Sequence, residues 1–536
     1  MGLAPDIQDR VNHVLDFHRT SKLCRDAVAK GKFVPDPANK PSIYRLFDSA
    51  TKVVLPTNLL DCPESTLELM SLGLEAVPDS HMRPPQDLKT LASWLFYSAA
   101  ITKEIETESG KVQLRSSPSA GGLYPCEIYV AAFAIAGLDP GLYHFSVREF
   151  ALRKLRGGVE TLMHIKRGRP ELDIIKTSPA AILVSTNFSR SSWKYQKRGF
   201  RHALLDAGHQ TENISIAGRG LGIQTVVRLR LPDAPMRELL GIPEHPEFGL
   251  LEPVQSIIVW ADQADHPLQI PKSEPTTVPP LPPIERQLVS ARPLSYGSIV
   301  AAHGDCTDPG VTVREIRPPA TELSPLPPTV DVSVFDIPEE LQRCPSLRRT
   351  FLDRRSPKDF AHRAIGRDDL ATIARLSFRG GTYSPLFPRG PHMGLIRPFW
   401  VLHDVVGMQP GIWYYHPPTD GWSLLRPWNC RADSKRFAME QEFSGNAGAI
   451  CWMTSNLFTL MNAAGPDVYR LANLEAGIAG QRMALSAQSL GMGCTGLAAF
   501  YDDDIRKFLG IERTHWDVLY AVAVGYPAAP PPEPHA

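Results

Sequence analysis

The sequence predicts an α+β protein made of two tandem copies of one domain, which pair within the chain as a pseudo-dimer. The main observation is a degenerate repeat, in which short segments recur at a constant offset of 269 residues. The matching segments are Phe200-Arg201 and Tyr469-Arg470, Asp206-Ala207-Gly208 and Glu475-Ala476-Gly477, Leu221-Gly222 and Leu490-Gly491, and Leu240-Gly241-Ile242 and Leu509-Gly510-Ile511. One long period indicates a duplication, because a solenoid needs three or more short repeats. Duplicated domains often reproduce a homodimer interface.

The same order of elements is predicted in both copies from the periodicity of apolar residues. Each copy should contain a helix, a strand, a short glycine-led strand, a buried strand, a long helix and a closing strand. Apart from the long helix, the elements of the first copy are predicted at 87–97, 127–132, 141–145, 180–185 and 254–260. Those of the second copy are predicted at 369–376, 399–403, 411–415, 449–454 and 518–524.

The long helix that carries the repeat is predicted to form the centre of the interface between the copies. In the second copy it spans Leu471 to Leu490 and is crowded with alanine and glycine. Glycine costs about 1 kcal/mol relative to alanine within a helix. A concentration of small residues there indicates that the helix packs closely against another element.

The domain organisation follows from the repeat and from the distribution of proline. Fourteen of the 50 prolines fall between Pro267 and Pro328, where they favour extended backbone over a helix or a central strand. We interpret this stretch as the linker, and a proline-rich docking motif is the alternative. The expected divisions are an N-terminal lead-in at 1–60, a first domain at 61–265, a linker at 266–340 and a second domain at 341–530.

The overall composition excludes several classes of function. Lysine plus arginine equals aspartate plus glutamate at 57 each, so no net field favours nucleic acid or an anionic membrane. We expect no membrane span and a cytoplasmic protein, because no apolar run approaches about 20 residues and no signal region begins the chain. Eight cysteines without a Cys-x-x-Cys pair predict reduced thiols and no metal site.

A glycine motif near the end of the chain resembles a dinucleotide-binding fingerprint. Gly491 to Gly496 fits the pattern G-x-G-x-x-G. That fingerprint requires a strand before it and a helix after it. A long helix precedes this motif, so the sequence disfavours a Rossmann site.

Two other motifs are candidates for binding a ligand. The first is a Ser-Gly loop, residues 118–122 (Pro-Ser-Ala-Gly-Gly), whose small residues let a flat ligand approach the backbone; an ordinary turn is the alternative. The second is an arginine segment, residues 353–360, in which Arg354, Arg355, Ser356 and Lys358 form a compact group suited to phosphate oxygens. A solvated basic turn is the alternative there.

Together these motifs resemble the nitroreductase family of flavoproteins. The resemblance implies two tandem FMN-binding domains. It assigns the FMN phosphate and ribityl chain to the arginine segment and the flavin ring to the Ser-Gly loop of the other copy. The cofactor-binding residues implied are Pro118, Ser119, Ala120, Gly121, Arg354, Arg355, Ser356, Lys358, Gly496 and Leu497.

The sequence around the Ser-Gly loop is similar to the SagB-type, or azoline dehydrogenase, branch of that family. The loop continues as Leu-Tyr-Pro and is followed by Glu-x-Tyr-Val and Gly-Leu-Tyr-His. The resemblance implies an acid/base role for Lys194 and Tyr195, and we expect the lysine to lower the pKa of the tyrosine. A basic turn is the alternative for this pair.

The two copies have diverged in a complementary way. Aligning Asp87 with Asp369 places Leu72 opposite Arg354, so the first copy lacks the arginines. The second copy has Pro391-His-Met-Gly394 in place of the Ser-Gly loop. One composite site therefore keeps both halves, and its mirror image has lost both.

We expect an FMN-dependent dehydrogenase that oxidises a peptide or small molecule, including an azoline to an azole in natural-product biosynthesis. An NAD(P)H-dependent nitro or quinone reductase is the alternative with the same fold. A flavin-binding scaffold or pseudo-enzyme is the alternative from another class. The expected partners are the substrate and a biosynthetic complex, with the chain as a monomeric pseudo-dimer or a higher oligomer.

Overall fold

The computed structural model confirms the α+β fold and the tandem arrangement. It describes residues 3–31, 33–72, 83–107, 110–158, 177–243, 246–261, 283–307, 344–378, 394–497 and 499–528, together with 161, 164, 165, 174, 175 and 281.

The lead-in and the first copy contain seven helices and nine strands in the part of the chain described. The helices are α1 (Pro5–Thr20), α2 (Arg25–Lys30), α3 (Thr66–Ser71), α4 (Leu88–Ala99), α5 (Phe188–Tyr195), α6 (Gly199–Gly220) and α7 (Asp233–Leu239). The strands are β1 (Thr51–Val54), β2 (Ile101–Thr107), β3 (Gly110–Arg115), β4 (Cys126–Ala132), β5 (Gly141–Ser146), β6 (Ala151–Gly157), β7 (Ala180–Thr186), β8 (Thr225–Arg228) and β9 (Val254–Trp260).

Among the described residues, the second copy repeats this succession after a helix that lies in the linker. The helices are α8 (Gly297–Cys306), α9 (Leu347–Asp353), α10 (Arg367–Phe378), α11 (Arg431–Phe437), α12 (Glu442–Asn446), α13 (Leu457–Ala464), α14 (Val468–Ser489) and α15 (Asp502–Leu509). The strands are β10 (Arg397–Leu402), β11 (Gly411–His416), β12 (Gly421–Pro427), β13 (Ala449–Ser455), β14 (Gly493–Leu497) and β15 (Asp517–Gly525). The elements predicted from periodicity are confirmed, with ends that differ by a few residues.

Each copy has an antiparallel sheet with the same strand order. The first sheet runs β1-β6-β5-β4-β7-β9-β8 and the second β12-β11-β10-β13-β15-β14. The central registers pair Tyr129 with Leu183 and Trp400 with Cys451. Among the described residues, strand β1 from the lead-in pairs with β6 and adds a seventh strand to the shared order. The duplication is therefore visible in the topology as well as in the sequence.

The long helices α6 and α14 cross where their glycines meet. A Cβ on Gly208 would lie 2.9 Å from the Gly477 Cα, and a Cβ on Gly477 would lie 2.9 Å from the Gly208 Cα. Real Cβ atoms do not approach other carbons so closely, so each glycine admits the backbone of the other helix. The prediction that the small-residue helix forms the interface is confirmed.

Reciprocal arginines connect each long helix with the sheet of the other copy. Arg201 donates to the Val518 carbonyl over 2.9 Å, and Arg470, its equivalent in the repeat, donates to the Leu229 carbonyl over 2.7 Å. Arg201 also pairs with Asp502 at 2.9 Å. The largest hydrophobic core cluster contains residues from both copies, as in an obligate interface.

The linker differs from its prediction in one respect. Helix α8 lies within it, although the prolines were expected to exclude a helix. The reason is that residues 297–306 contain no proline: the nearest ones, Pro293 and Pro309, flank the helix. Most of the proline-rich sequence, and Pro391 to Met393, lie outside the described residues.

Two general findings bear on function. No helix in the described part of the chain is long and apolar enough to cross a membrane. Among the same residues, no group of three or more His, Cys, Asp or Glu side chains is placed to hold a metal ion.

Candidate functional site

A cavity of about 790 Å³ lies between the two copies. The first copy lines it with Pro118, Ser119, Ala120, Gly121, Gly122, Lys194, Tyr195, His202, Leu205, Asp206 and His209. The second copy lines it with Ser356, Pro357, Lys358, Met439, Gln441, Phe443, Thr495, Gly496, Ala499 and Tyr520. The structure therefore brings together the Ser-Gly loop, the Lys194–Tyr195 pair and part of the arginine segment.

The Ser-Gly loop is held in place by a carboxylate from the long helix α6. Ser119 Oγ donates to Asp206 Oδ2 over 2.5 Å, and the Ala120 N–H donates to Oδ1 over 3.2 Å. Gly121 and Gly122 have φ values of 64° and 65°, in the left-handed region that favours glycine. The loop thus presents backbone rather than large side chains to the cavity.

Burial raises the pKa of Asp206 to about 7, although the hydrogen bonds from Ser119 and Ala120 act to lower it. Removing a carboxylate from water disfavours its charged form, and here that effect exceeds the stabilisation by the two donors. The cavity therefore contains a carboxyl group that can change protonation near neutral pH.

Lys194 and Tyr195 end helix α5 and lie against the Ser-Gly loop. A Cβ on Gly121 would lie 2.8 Å from the Tyr195 hydroxyl oxygen and 3.2 Å from Lys194 Nζ. Lys194 Nζ lies 5.5 Å from the centre of the Tyr195 ring. A side chain at position 121 would displace both groups, so the glycine allows the pair to meet the loop.

The expectation that Lys194 lowers the pKa of Tyr195 is wrong. Burial raises the pKa of Tyr195, and the nearby Asp206 carboxylate raises it further. Desolvation of the phenolate exceeds any attraction to the lysine across the ring. Tyr195 therefore keeps its proton at neutral pH.

The arginine segment follows helix α9 and supports the loop of the other copy. Arg354 is buried and donates to the carbonyls of Ser116 over 2.6 Å and Arg115 over 3.2 Å. Ser356 and Lys358 line the cavity, whereas neither Arg354 nor Arg355 is among its lining residues. Arg354 thus joins the two halves of the composite site.

Two nitrogens of this segment fit an anionic ligand. Among the described residues, Arg354 Nη1 and Arg355 Nε are buried without a hydrogen-bond partner. A buried guanidinium donor without a partner is costly unless a ligand completes its bonding. Together with Ser356 and Lys358 on the cavity wall, these donors suit the phosphate of FMN.

The two cofactor-binding candidates on β14 have different environments. Gly496 lines the cavity and lies against the Tyr520 hydroxyl. Leu497 is fully buried in a hydrophobic core cluster of the second copy and is not among the lining residues. Alternation along a strand explains the difference, since neighbouring side chains point to opposite faces.

Sequence reasoning missed His202 and Tyr520 as lining residues. The His202 ring lies 4.4 Å from the Tyr195 ring, and neither of its nitrogens has a hydrogen-bond partner among the described residues. Its position four residues before Asp206, one helical turn away, was an available signal. Tyr520 lies in an apolar strand, where nothing in the sequence distinguishes it from a core tyrosine.

The mirror position keeps a buried carboxyl group in register with Asp206. Glu475, the counterpart of Asp206, accepts a hydrogen bond from the Ile396 N–H over 3.3 Å. Burial raises the pKa of Glu475 to about 7 as well. The residue in register with Gly496 is Val227, so that wall differs between the two positions.

The fold is that of a tandem pair of nitroreductase-like domains. The model of the Nitroreductase family matches residues 84–251 and 431–526, one region in each copy.

Individual proteins of this kind are also similar to this chain in sequence or in structure. A protein of Methanocaldococcus jannaschii assigned as a nitroreductase, MJ1384, is 28% identical over 189 residues, which are 35% of this chain and 90% of that protein. The trifolitoxin-processing protein TfxB of Rhizobium leguminosarum bv. trifolii is 28% identical over 233 residues, which are 42% of this chain and 62% of TfxB. The crystal structure of a protein of Anabaena variabilis assigned as a nitroreductase superposes with a TM-score of 0.71 at 23% identity, covering 96% of this chain and 99% of that one. This last comparison supports the tandem fold over almost the whole chain.

Proposed function

We propose that this protein is an FMN-dependent dehydrogenase of the SagB type, which oxidises a peptide or small-molecule substrate. The observation that carries the proposal is the cavity between the copies. Its walls combine a Ser-Gly loop from one copy with phosphate-type donors from the other. FMN has both a flat ring and a charged phosphate, so a site of this composition suits it.

The proposed binding residues divide according to the parts of FMN. Arg354, Arg355, Ser356 and Lys358 would hold the phosphate and the ribityl chain. The backbone of the Ser-Gly loop and Gly496 would contact the isoalloxazine ring. When bound, this ring supplies the hydride acceptor that amino-acid side chains lack.

Lys194 and Tyr195 are the proposed proton-transfer pair. Because the pKa of Tyr195 is raised, its hydroxyl acts as a hydrogen-bond donor to a heteroatom of the substrate. Lys194 would remove the proton from the heteroatom or carbon adjacent to the C–H group that gives up its hydride. His202, with two unpartnered nitrogens beside the Tyr195 ring, would contact a polar group of the same substrate.

The similarity to TfxB supports a substrate in natural-product maturation. Its name assigns that relative to the processing of trifolitoxin. Oxidation of an azoline to an azole in a peptide is the reaction we propose first, and a biosynthetic complex partner would deliver the peptide.

A nicotinamide-driven nitro or quinone reductase is the second candidate, and the similarity to MJ1384 favours it. Anaerobic stopped-flow spectroscopy of the FMN-loaded protein separates the two. A dehydrogenase should lose its flavin absorbance rapidly with an azoline peptide and slowly with NADPH, and a reductase should show the opposite order. FMN binding without turnover of any substrate would favour a scaffold, and failure to bind FMN would refute the proposal.

A further inference from the structure

The hydroxyl of Tyr520 begins a hydrogen-bond chain that leads from the cavity into the first copy. It lies 3.1 Å from His209 Nε2, and His209 Nδ1 lies 3.1 Å from Gln481 Oε1. Gln481 Nε2 donates to Asn213 Oδ1 over 2.6 Å, and Asn213 Nδ2 donates to the Ser98 carbonyl over 2.6 Å. Tyr520 and Gln481 come from the second copy and the other residues from the first.

The direction of every bond in this chain follows from its last member. The Ser98 carbonyl can only accept, so the amide nitrogen of Asn213 faces it and the Asn213 oxygen faces Gln481. The Asn213 oxygen can only accept a hydrogen bond, so the Gln481 amide nitrogen must donate to it. The Gln481 oxygen then accepts a hydrogen bond from His209. His209 therefore carries its proton on Nδ1, and its bare Nε2 accepts from the Tyr520 hydroxyl.

The histidine orients this chain and does not take up a proton from it. Burial lowers the pKa of His209 to about 4, and the charge of Arg354 adds to the effect. A neutral imidazole has one donor and one acceptor nitrogen, as the chain requires. Because the hydroxyl hydrogen is committed to His209, only the oxygen lone pairs of Tyr520 remain for a ligand.

We propose that the Tyr520 oxygen accepts a hydrogen bond from a ring N–H of the cofactor bound in the cavity. Tyr520 would then be a specificity-determining residue for a flavin, and this inference rests on the proposed function. The oxidised isoalloxazine ring has one N–H, at N3, and reduction adds another at N5. A side chain on Gly496 would collide with the Tyr520 hydroxyl, so the glycine leaves this oxygen accessible.

The tautomer of His209 tests the chain without any assay of turnover. The protein as purified, with ¹⁵N-labelled histidine, gives a ring signal for His209 that is identified by its loss in His209→Gln. We expect a protonated Nδ1 and a bare Nε2. A proton on Nε2 would reverse the chain, make Tyr520 a donor toward the cavity and overturn the proposal.

The acceptor role is tested with Tyr520→Phe, and Tyr143→Phe is the matched control. Tyr143 is a buried tyrosine whose hydroxyl donates to the Asp139 carbonyl and is not among the cavity-lining residues. If N3–H is the donor, Tyr520→Phe weakens FMN binding about threefold to tenfold, and N3-methyl-FMN binds both proteins equally. If N5–H is the donor, the affinity for oxidised FMN is unchanged and the midpoint potential becomes more negative.

Two further results would overturn the proposal, and only the second would also refute the proposed function. Unchanged affinity and unchanged potential in Tyr520→Phe would reject the acceptor role and leave the flavin site standing. Failure of the unsubstituted protein to bind FMN would reject the proposed function, and with it the ligand that Tyr520 is inferred to contact.

Discussion

The buried carboxyl group of Asp206 makes the stability of the protein depend on pH near neutrality. Its pKa is about 7 in the folded chain and near 4 when unfolded. Between these values the folded state holds a proton that the unfolded state releases. The contribution is therefore fully present below about pH 4 and is lost as pH rises through about 7.

We expect Asp206→Asn to remove part of this pH dependence. Between pH 5 and pH 8 the unsubstituted protein should lose about 2 kcal/mol more unfolding free energy than the variant, as measured by urea denaturation. Asp9→Asn, at an exposed position, is the matched control for the substitution itself. Equal losses in Asp206→Asn and the unsubstituted protein would show that the carboxyl group does not titrate in this range.

Tyr195→Phe should separate catalysis from cofactor binding. It removes the hydroxyl beside Gly121 but keeps the ring that packs against His202, so folding and flavin content should survive. Turnover should fall about 10²- to 10⁴-fold, the usual effect of a positioned acid/base group. Steady-state kinetics gives the turnover per bound FMN. If Tyr195→Phe and Lys194→Ala both turn over at the rate of the unsubstituted protein, the pair has no acid/base role and is a basic turn.

Arg355 tests phosphate binding better than Arg354 does. Arg354 also holds the carbonyls of Arg115 and Ser116, so its loss would disturb the Ser-Gly loop as well. Arg355→Ala should weaken FMN binding about tenfold to a hundredfold through the loss of a charge-assisted bond. Fluorescence titration measures this change, with the exposed Arg349→Ala as control, and full flavin retention in an Arg354→Ala/Arg355→Ala double variant would place the phosphate elsewhere.

At the scale of elements, the crossing of α6 and α14 is the feature most sensitive to substitution. Gly477→Ala should destabilise the protein by at least about 1–3 kcal/mol, because its Cβ would overlap the backbone of α6. Gly304→Ala, in helix α8 with open space around it, should be neutral or stabilising by up to about 1 kcal/mol. Urea denaturation of both variants measures the difference, and equal stabilities would show that the helices separate easily.

The elements were predictable from the sequence because their signals are local. Short apolar runs, two of them led by glycine, marked the strands, and the cluster of small residues in α14 marked the interface. Helix α8 could not be predicted from the proline content of the whole stretch, because its ten residues contain no proline. Tyr520 and the raised pKa of Tyr195 could not be predicted, since both depend on burial by residues from distant parts of the chain.

For the whole molecule we expect one FMN per chain. The composite cavity has the Ser-Gly loop and the donors of the arginine segment, whereas the mirror position has Leu72 in register with Arg354 and Val227 in register with Gly496. Extraction and quantification of flavin from the FMN-saturated protein measures the ratio. Two flavins per chain would show that the mirror position also binds the cofactor.

Because the two long helices that cross belong to one chain, assembly of the site does not depend on protein concentration. A site shared by two separate subunits is lost when the protein concentration falls below the dissociation constant of the dimer. Here the reciprocal arginines and the paired glycines belong to one polypeptide, so the two walls of the cavity meet at a fixed effective concentration. Covalent fusion thus keeps the two walls of the cavity together at low protein concentration. It also lets the two halves diverge in sequence independently, whereas both subunits of a homodimer carry every substitution.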